Sequence, residues 1–200
     1  MNIRKRLITL LDEANEARIY KLEHSVELAK KVLSFCNTTK FNDIKARALS
    51  QLSLYSMIVG DNEASLEYAK NSIFLFEKLN DDKGIADAKY SIASVYYKTD
   101  NYHIGLVFLI DALNIYKKFD DHYNISRCEK SLGTVYEYSG NQNNAVQSYE
   151  NAIQAAKKIK NFNLESNAYN NLSGIYIKQG KLDLAAKIIQ REQAMKPVQQ

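Results

Sequence analysis

Residues 131–153 decide the fold, and they read SLGTVYEYSGNQNNAVQSYENAI. Small and apolar residues recur at intervals of three and four on both sides of Gly140, which is the spacing of one face of an α-helix. Glycine commonly follows the end of a helix because it adopts the left-handed conformation without a steric penalty. The stretch therefore predicts two antiparallel helices joined by a tight turn.

The same pattern returns every 40 residues along the chain. Four columns of equivalent positions carry the period: one at the turn, one apolar, one small and one aromatic. The columns are Gly60, Asp100, Gly140 and Gly180; Leu52, Ile92, Leu132 and Leu172; Ala48, Ala88, Cys128 and Ala168; and Tyr96, Tyr136 and Tyr176. A repeat of this length predicts stacked helix pairs, because each pair buries its apolar face only against its neighbours.

Composition agrees with one helical array. The chain has 200 residues, 46% hydrophobic and 25% charged, which is typical of a folded protein, and one proline and seven glycines disfavour many short strands. We therefore expect an all-α, right-handed α-solenoid of five helix pairs in a single domain over residues 1–194. The units are approximately 1–40, 41–80, 81–120, 121–160 and 161–194, and residues 195–200 form a tail. The first unit fits least well, because its first helix lacks the turn glycine.

We expect a cytoplasmic protein that does not enter a membrane. The apolar stretch behind the basic N-terminus, residues 7–11, is shorter than the roughly 7 to 15 residues of a signal-peptide core. Cys36 and Cys128 have no metal-type spacing, and a disulfide-rich secreted domain would contain more cysteines.

The repeat resembles a known family, the tetratricopeptide repeat. Residues 140–153 are similar to the second helix of that repeat, with Gly140, Ala145 and Tyr149 at its marker positions, and residues 132–136 are similar to the end of its first helix. The period is 40 residues where about 34 is usual, tryptophan is absent, and the family's proline between units is missing. The longer period is similar to the subgroup found in bacterial signalling proteins.

This resemblance implies a non-catalytic module that binds a protein or an extended peptide in a concave groove lined by the first helix of each pair. It also implies a sensory or scaffolding part of a bacterial signalling or regulatory protein. The ligand-facing stripe of the family corresponds to Arg47, Tyr90, Ser94, Lys98, Arg127, Lys130, Thr134, Tyr138, Asn167 and Asn170. Its cations and amides suit a peptide with an acidic side chain or a free carboxylate.

An enzyme is the disfavoured alternative. The histidines His24, His103 and His122 lie in different units, no nucleotide or hydrolase motif occurs, and Cys128 belongs to the small column. We expect no catalytic residue, metal or cofactor. We also expect no nucleic-acid partner, because a net charge of +4 is low for binding phosphates and packing explains the tyrosine column.

Self-association is the other alternative. Leu182, Ala185, Ala186 and Ile189 keep the apolar pattern in the last helix, whereas Glu192 and Gln193 stand where Ala152 and Ile153 stand one unit earlier. An outer face without a neighbouring unit frays or associates. The sequence therefore predicts either fast amide exchange from about Leu182 onward or a homodimer through the C-terminal end.

Overall fold

The chain is helical throughout the described part. The computed structural model describes residues 2–195, and this range contains ten α-helices and no strand. The predicted all-α helical-repeat fold is confirmed. The helices are α1 (Ile3–Ala17), α2 (Leu22–Asn37), α3 (Asn42–Val59), α4 (Asn62–Leu79), α5 (Asp82–Lys98), α6 (Tyr102–Lys118), α7 (His122–Tyr138), α8 (Gln142–Lys158), α9 (Phe162–Lys178) and α10 (Leu182–Met195).

The helix ends follow a spacing of 20 residues. Each turn from residue 60 onward contains one left-handed residue: Gly60, Asn80, Asp100, Asp120, Gly140, Lys160 and Gly180. The helix that follows is often capped by an Asp or Asn side chain, as where Asp81 accepts from the Gly84 backbone N–H at 2.9 Å and Asn161 accepts from that of Leu164 at 3.1 Å. These caps satisfy backbone donors that the first turn of a helix leaves unpaired.

The chain divides into two compact units, residues 1–101 and 102–200. The first unit contains α1 to α5, and α1, α2 and α3 share a core that includes Leu11, Val32 and Leu52. Small residues allow close packing of α3 on α4, where the hydroxyl of Ser65 donates to the Ser53 carbonyl at 2.8 Å. A single array over residues 1–194 stays a prediction.

The second unit contains α6 to α10. Tyr149 and Ile153 of α8 pack with Tyr169 and Leu172 of α9 in one cluster. Gly133 of α7 lies against Tyr149, and a Cβ atom at Gly133 would lie 2.6 Å from the tyrosine ring. The small residue at this position is therefore required by the approach of α8.

The last helix buries a different face from the one that its sequence suggests. Ala185 and Ile188 are buried, whereas Ile189 is 38% exposed although the equivalent Tyr149 is 1% exposed. Glu192, which stands where Ala152 stands one unit earlier, is nevertheless buried, and its carboxylate accepts from the Ser166 hydroxyl at 2.5 Å. Met195 belongs to α10, and the other residues of the predicted tail, 196–200, lie outside the described residues.

Candidate functional site

In the second unit, the predicted binding residues lie on two adjacent helices, α7 and α9, which contact each other. We call this surface the α7–α9 face. It consists of Arg127, Lys130, Thr134 and Tyr138 on α7 and Asn167, Asn170 and Gly174 on α9. All of these residues except Gly174 have a polar side-chain group, and all seven are at least partly accessible to solvent. The structure thus brings together six of the ten predicted site residues.

Unpaired polar groups and one oriented cation lie on the N-terminal halves of α7 and α9. The side chains of Lys130, Asn167 and Asn170 make no hydrogen bond or ion pair with any residue in the range 2–195. The guanidinium of Arg127 donates to Asn124 Oδ1 at 3.0 Å and lies 5.7 Å from the centre of the Tyr123 ring. These contacts orient a fork of donors before any ligand binds.

The middle of the face is open. A Cβ atom built at Gly174 would meet no atom within 4 Å. On the neighbouring helix, the Thr134 hydroxyl donates to the Lys130 carbonyl at 3.0 Å, and its oxygen lies 3.3 Å from the Tyr149 hydroxyl oxygen. An extended chain therefore has space over α9 beside a fixed hydroxyl on α7.

An ion pair that we did not predict closes the far end of the face. Lys178 Nζ lies 2.5 Å from Glu137 Oε1, and Glu137 Oε2 accepts from the Tyr149 hydroxyl at 2.9 Å. The hydrogen bond to Glu137 raises the pKa of Lys178. Tyr138, 63% exposed, stacks on Tyr102 with 5.9 Å between the ring centres. Lys178 stands 40 residues after Tyr138, so the repeat register could have identified it.

In the first unit, the predicted residues are occupied by bonds within the protein. Arg47 donates to Asp12 Oδ1 at 2.5 Å, Ser94 to the Tyr90 carbonyl at 2.9 Å, and Lys98 to the Met57 carbonyl at 2.8 Å. Because these groups already have partners, this face offers a ligand fewer polar contacts than the α7–α9 face does.

The described residues show no arrangement suited to catalysis by metal or thiolate. In the range 2–195, no group of three or more His, Cys, Asp or Glu side chains could hold a metal ion. Both cysteines are buried and form no disulfide within residues 2–195, and burial raises the pKa of the Cys36 thiol, which disfavours the nucleophilic thiolate. None of the helices in this range combines the length and the apolar character that crossing a membrane needs.

Comparison with known families gives two matches of the same kind. Models of the tetratricopeptide repeat match residues 84–158 and residues 166–196. No curated protein has significant sequence similarity to the chain.

Solved structures share the fold at low sequence identity. BtubC (BKLC) from P. vanneervenii has a TM-score of 0.76 and 12% identity, with 98% of this chain and 91% of that chain covered. Rap protein complexed with competence and sporulation factor has a TM-score of 0.83 and 16% identity, with 94% and 53% covered. A STAND signal transduction ATPase with a tetratricopeptide repeat sensor, from Pyrococcus horikoshii, has a TM-score of 0.81 and 19% identity, with 96% and 30% covered. The chain thus spans about half of the Rap protein and less than a third of the STAND protein, and the likeness is one of fold.

Proposed function

Because the chain belongs to the tetratricopeptide repeat family, we propose that it is a non-catalytic module that binds an extended, carboxylate-bearing peptide on the α7–α9 face. The observation that carries the proposal is the set of unpaired donors there. Lys130, Asn167 and Asn170 have no partner among residues 2–195, although they lie on adjacent packed helices. Polar side chains without internal partners are available to a ligand at no cost in broken bonds.

The chemistry of the face selects an acidic, extended ligand. Asn167 and Asn170 each offer an amide that can pair with a peptide backbone, and Arg127 and Lys130 supply positive charge. Glu137, a carboxylate on the same helix as these two cations, already has Lys178 as its partner. A carboxylate on the ligand would form charge-assisted hydrogen bonds with the two cations.

A sensory or scaffolding role in a bacterial signalling or regulatory protein of the cytoplasm is part of this proposal. Support comes from the 40-residue period and from the fold neighbours, which include a Rap protein in complex with competence and sporulation factor and a STAND protein with a tetratricopeptide repeat sensor.

The test is a charge reversal on the proposed face. An array of immobilised 12-residue peptides rich in Asp and Glu, paired with the same sequences carrying Asn and Gln, is probed with the wild-type chain and with Arg127→Glu/Lys130→Glu. We expect the wild type to prefer the acidic member of each pair. The double variant should lose about 1 kcal/mol or more of binding free energy, which is about a fivefold loss of affinity.

The matched control is Lys118→Glu/Lys187→Glu, which changes charge equally on exposed positions of α6 and α10. Thermal stability of both double variants should change by less than about 0.5 kcal/mol. Equal binding by the wild type and Arg127→Glu/Lys130→Glu would place the site elsewhere.

Self-association through α10 is a second candidate, favoured by its exposed apolar positions. Ile189 and Leu184 are exposed, and Ile189 occupies the position at which Tyr149 of α8 packs in the core with α9. A second copy seated on α10 would cover them. Sedimentation of the wild type and Ile189→Glu over a range of concentrations tests this: a dimer that Ile189→Glu abolishes supports it, and a wild type that is monomeric throughout contradicts it.

A further inference from the structure

The first unit contains an apolar cleft, and none of the residues that line it belongs to the predicted binding stripe. It has a volume of about 430 Å³ and lies between α2 and α4, above α3. We call it the α2–α4 cleft. Its lining residues are Leu33, Asn37, Lys45, Leu49, Tyr68, Asn71, Phe74 and Leu75.

The second unit has the same junction twice, and an ion pair bridges it in both cases. Between α6 and α7, Lys117 Nζ lies 3.2 Å from Glu129 Oε1. Between α8 and α9, Lys157 Nζ lies 3.7 Å from Glu165 Oε1. Glu129 and Glu165 are both only 4% exposed, so each buried carboxylate has a cation from the preceding helix.

The α2–α4 cleft lacks the corresponding pair. In the 40-residue register, Asn37 occupies the position of Lys157 and Lys45 that of Glu165. The charge on α3 is therefore the reverse of that on α9, and the position across from it is uncharged. Lys45 is half-buried and forms no ion pair within residues 2–195, and the side chains of Asn37 and Asn71 make no hydrogen bonds there.

The rest of the cleft is also more apolar than its counterparts. Leu49 stands where Glu129 and Tyr169 stand in the second unit, and Phe74 stands where Gln154 stands. Phe74 is 55% exposed at the edge of the cleft, and Lys78 Nζ lies 4.0 Å from the centre of its ring. Phe74 and Lys45 line the same cleft, and ligand sites are mostly apolar clefts with a few polar groups and volumes from roughly 300 Å³.

We propose that the α2–α4 cleft binds a peptide segment in which a large apolar side chain stands next to a carboxylate. The apolar side chain packs on Leu49 and Phe74, and the carboxylate forms an ion pair with Lys45, which has no such partner within residues 2–195. Asn37 and Asn71, on opposite walls, hydrogen-bond the peptide backbone. This site is separate from the α7–α9 face and does not depend on it.

The test uses the full chain and two small probes, acetyl-Gly-Asp-Phe-Gly-amide and its counterpart with Asn in place of Asp, titrated by two-dimensional amide NMR. We expect the Asp peptide to shift signals of residues 33–49 and 68–75 and to bind about tenfold more tightly than the Asn peptide, as one charge-assisted hydrogen bond predicts. Failure of the Asp peptide to bind, or shifts centred on other residues, would overturn the proposal.

One substitution introduces a carboxylate from within the chain that can pair with Lys45. Asn37→Glu, at an exposed position, should pair with Lys45 and reduce the affinity for the Asp peptide to that for the Asn peptide. Asn37→Gln is the matched control and should keep the preference. Lys45→Glu should invert it, binding the same peptide with Lys in place of Asp more tightly. Full binding of the Asp peptide by Asn37→Glu would show that Lys45 is not its partner.

Discussion

The two compact units share one repeat but differ in which of its surfaces carries polar side chains without partners inside the protein. In the first unit, Arg47 of α3 and Lys98 of α5 are bonded within the protein, whereas the α2–α4 cleft contains Lys45, which forms no ion pair among the described residues. In the second unit, Lys130, Asn167 and Asn170 of α7 and α9 are unpaired within the described range, whereas ion pairs such as Lys117–Glu129 join neighbouring helices on the other side. The backbone register is common to both, so a few side chains decide which surface is available.

This difference indicates where the repeat tolerates change. Positions at the turns and in the small column are fixed by backbone geometry and by close helix packing. The equivalent positions 49 and 129 carry Leu and Glu, and the equivalent positions 45 and 165 carry Lys and Glu. The chemistry of a junction between helices therefore differs between the units while the turn and small columns stay the same.

The largest expected effect is on the ion pair that closes a junction of the second unit. Lys117→Met leaves the buried carboxylate of Glu129 without its counter-charge, and we expect a loss of about 2 to 3 kcal/mol in the free energy of unfolding. Glu129→Leu copies Leu49 of the first unit and should change stability by less than about 1 kcal/mol, because an apolar residue of similar volume replaces a buried charge. Urea unfolding measures both.

Lys118→Met is the control for that comparison, since it removes a neighbouring exposed cation of the same helix. An equal loss for Lys118→Met and Lys117→Met would show that helix charge, and not the pair with Glu129, sets the stability.

A second comparison uses two helical glycines of the second unit. At Gly133 a Cβ atom would lie 2.6 Å from the Tyr149 ring, so Gly133→Ala should destabilise the protein by about 2 kcal/mol through overpacking. At Gly174 a Cβ atom meets open space, so Gly174→Ala should stabilise it by about 0.5 to 1 kcal/mol by removing backbone freedom from the unfolded chain. Thermal unfolding distinguishes the two, and destabilisation by Gly174→Ala would mean that the α7–α9 face is not open there.

Much of this architecture could be predicted from the sequence because the period fixes it. The turn column at Gly60, Gly140 and Gly180 predicts the helix pairs, and counting 40 residues assigns equivalent positions of the predicted stripe to α7 and α9. The partners of that stripe could not be predicted where they lie outside the register. Asp12, which bonds Arg47, comes from α1, the helix that fits the repeat least well.

Charged residues at buried positions were the other gap. Glu192 stands where the previous unit has Ala152, yet it is buried and Ser166 of the neighbouring helix donates to it. One unit earlier, the equivalent Ser126 hydroxyl donates to the Ala152 backbone carbonyl at 2.9 Å, so the register marks Ser166 as a donor to the next helix. It does not show that a glutamate side chain takes the place of that carbonyl as the acceptor. The α2–α4 cleft could not be predicted from the columns either, because it is a departure from them.

A smaller effect is expected at Tyr55 in the core of the first unit. Its hydroxyl is buried and has no hydrogen-bond partner within residues 2–195, and burial raises the pKa of Tyr55 to about 12. Tyr55→Phe should raise the free energy of unfolding by about 1 kcal/mol at neutral pH by removing an unsatisfied polar group. A destabilised Tyr55→Phe would contradict this.

The same substitution has a signature at alkaline pH. Because the folded state keeps Tyr55 neutral above its unfolded pKa of about 10, the stability that this neutral form contributes is complete below pH 10 and is lost as pH rises towards 12. Tyr55→Phe should remove that part of the alkaline decline, which unfolding curves between pH 9 and pH 12 measure.

The smallest expected effect concerns the pair that joins α1 to α3. Burial by itself would raise the pKa of Asp43, but the hydrogen bonds from the Arg4 side chain and from the Ile44 backbone lower it overall. A lowered carboxyl pKa contributes stability above the unfolded value of 3.8 and loses it as pH falls through the lower folded value. Arg4→Gln should therefore make α1 open at a higher pH on acidification, with faster amide exchange at residues 7–11, and no difference near pH 7 beyond a few tenths of a kcal/mol, as for an exposed pair. The shift should shrink in concentrated salt because both side chains are well exposed, and a shift that salt does not reduce would mean that Arg4 acts through packing and not through charge.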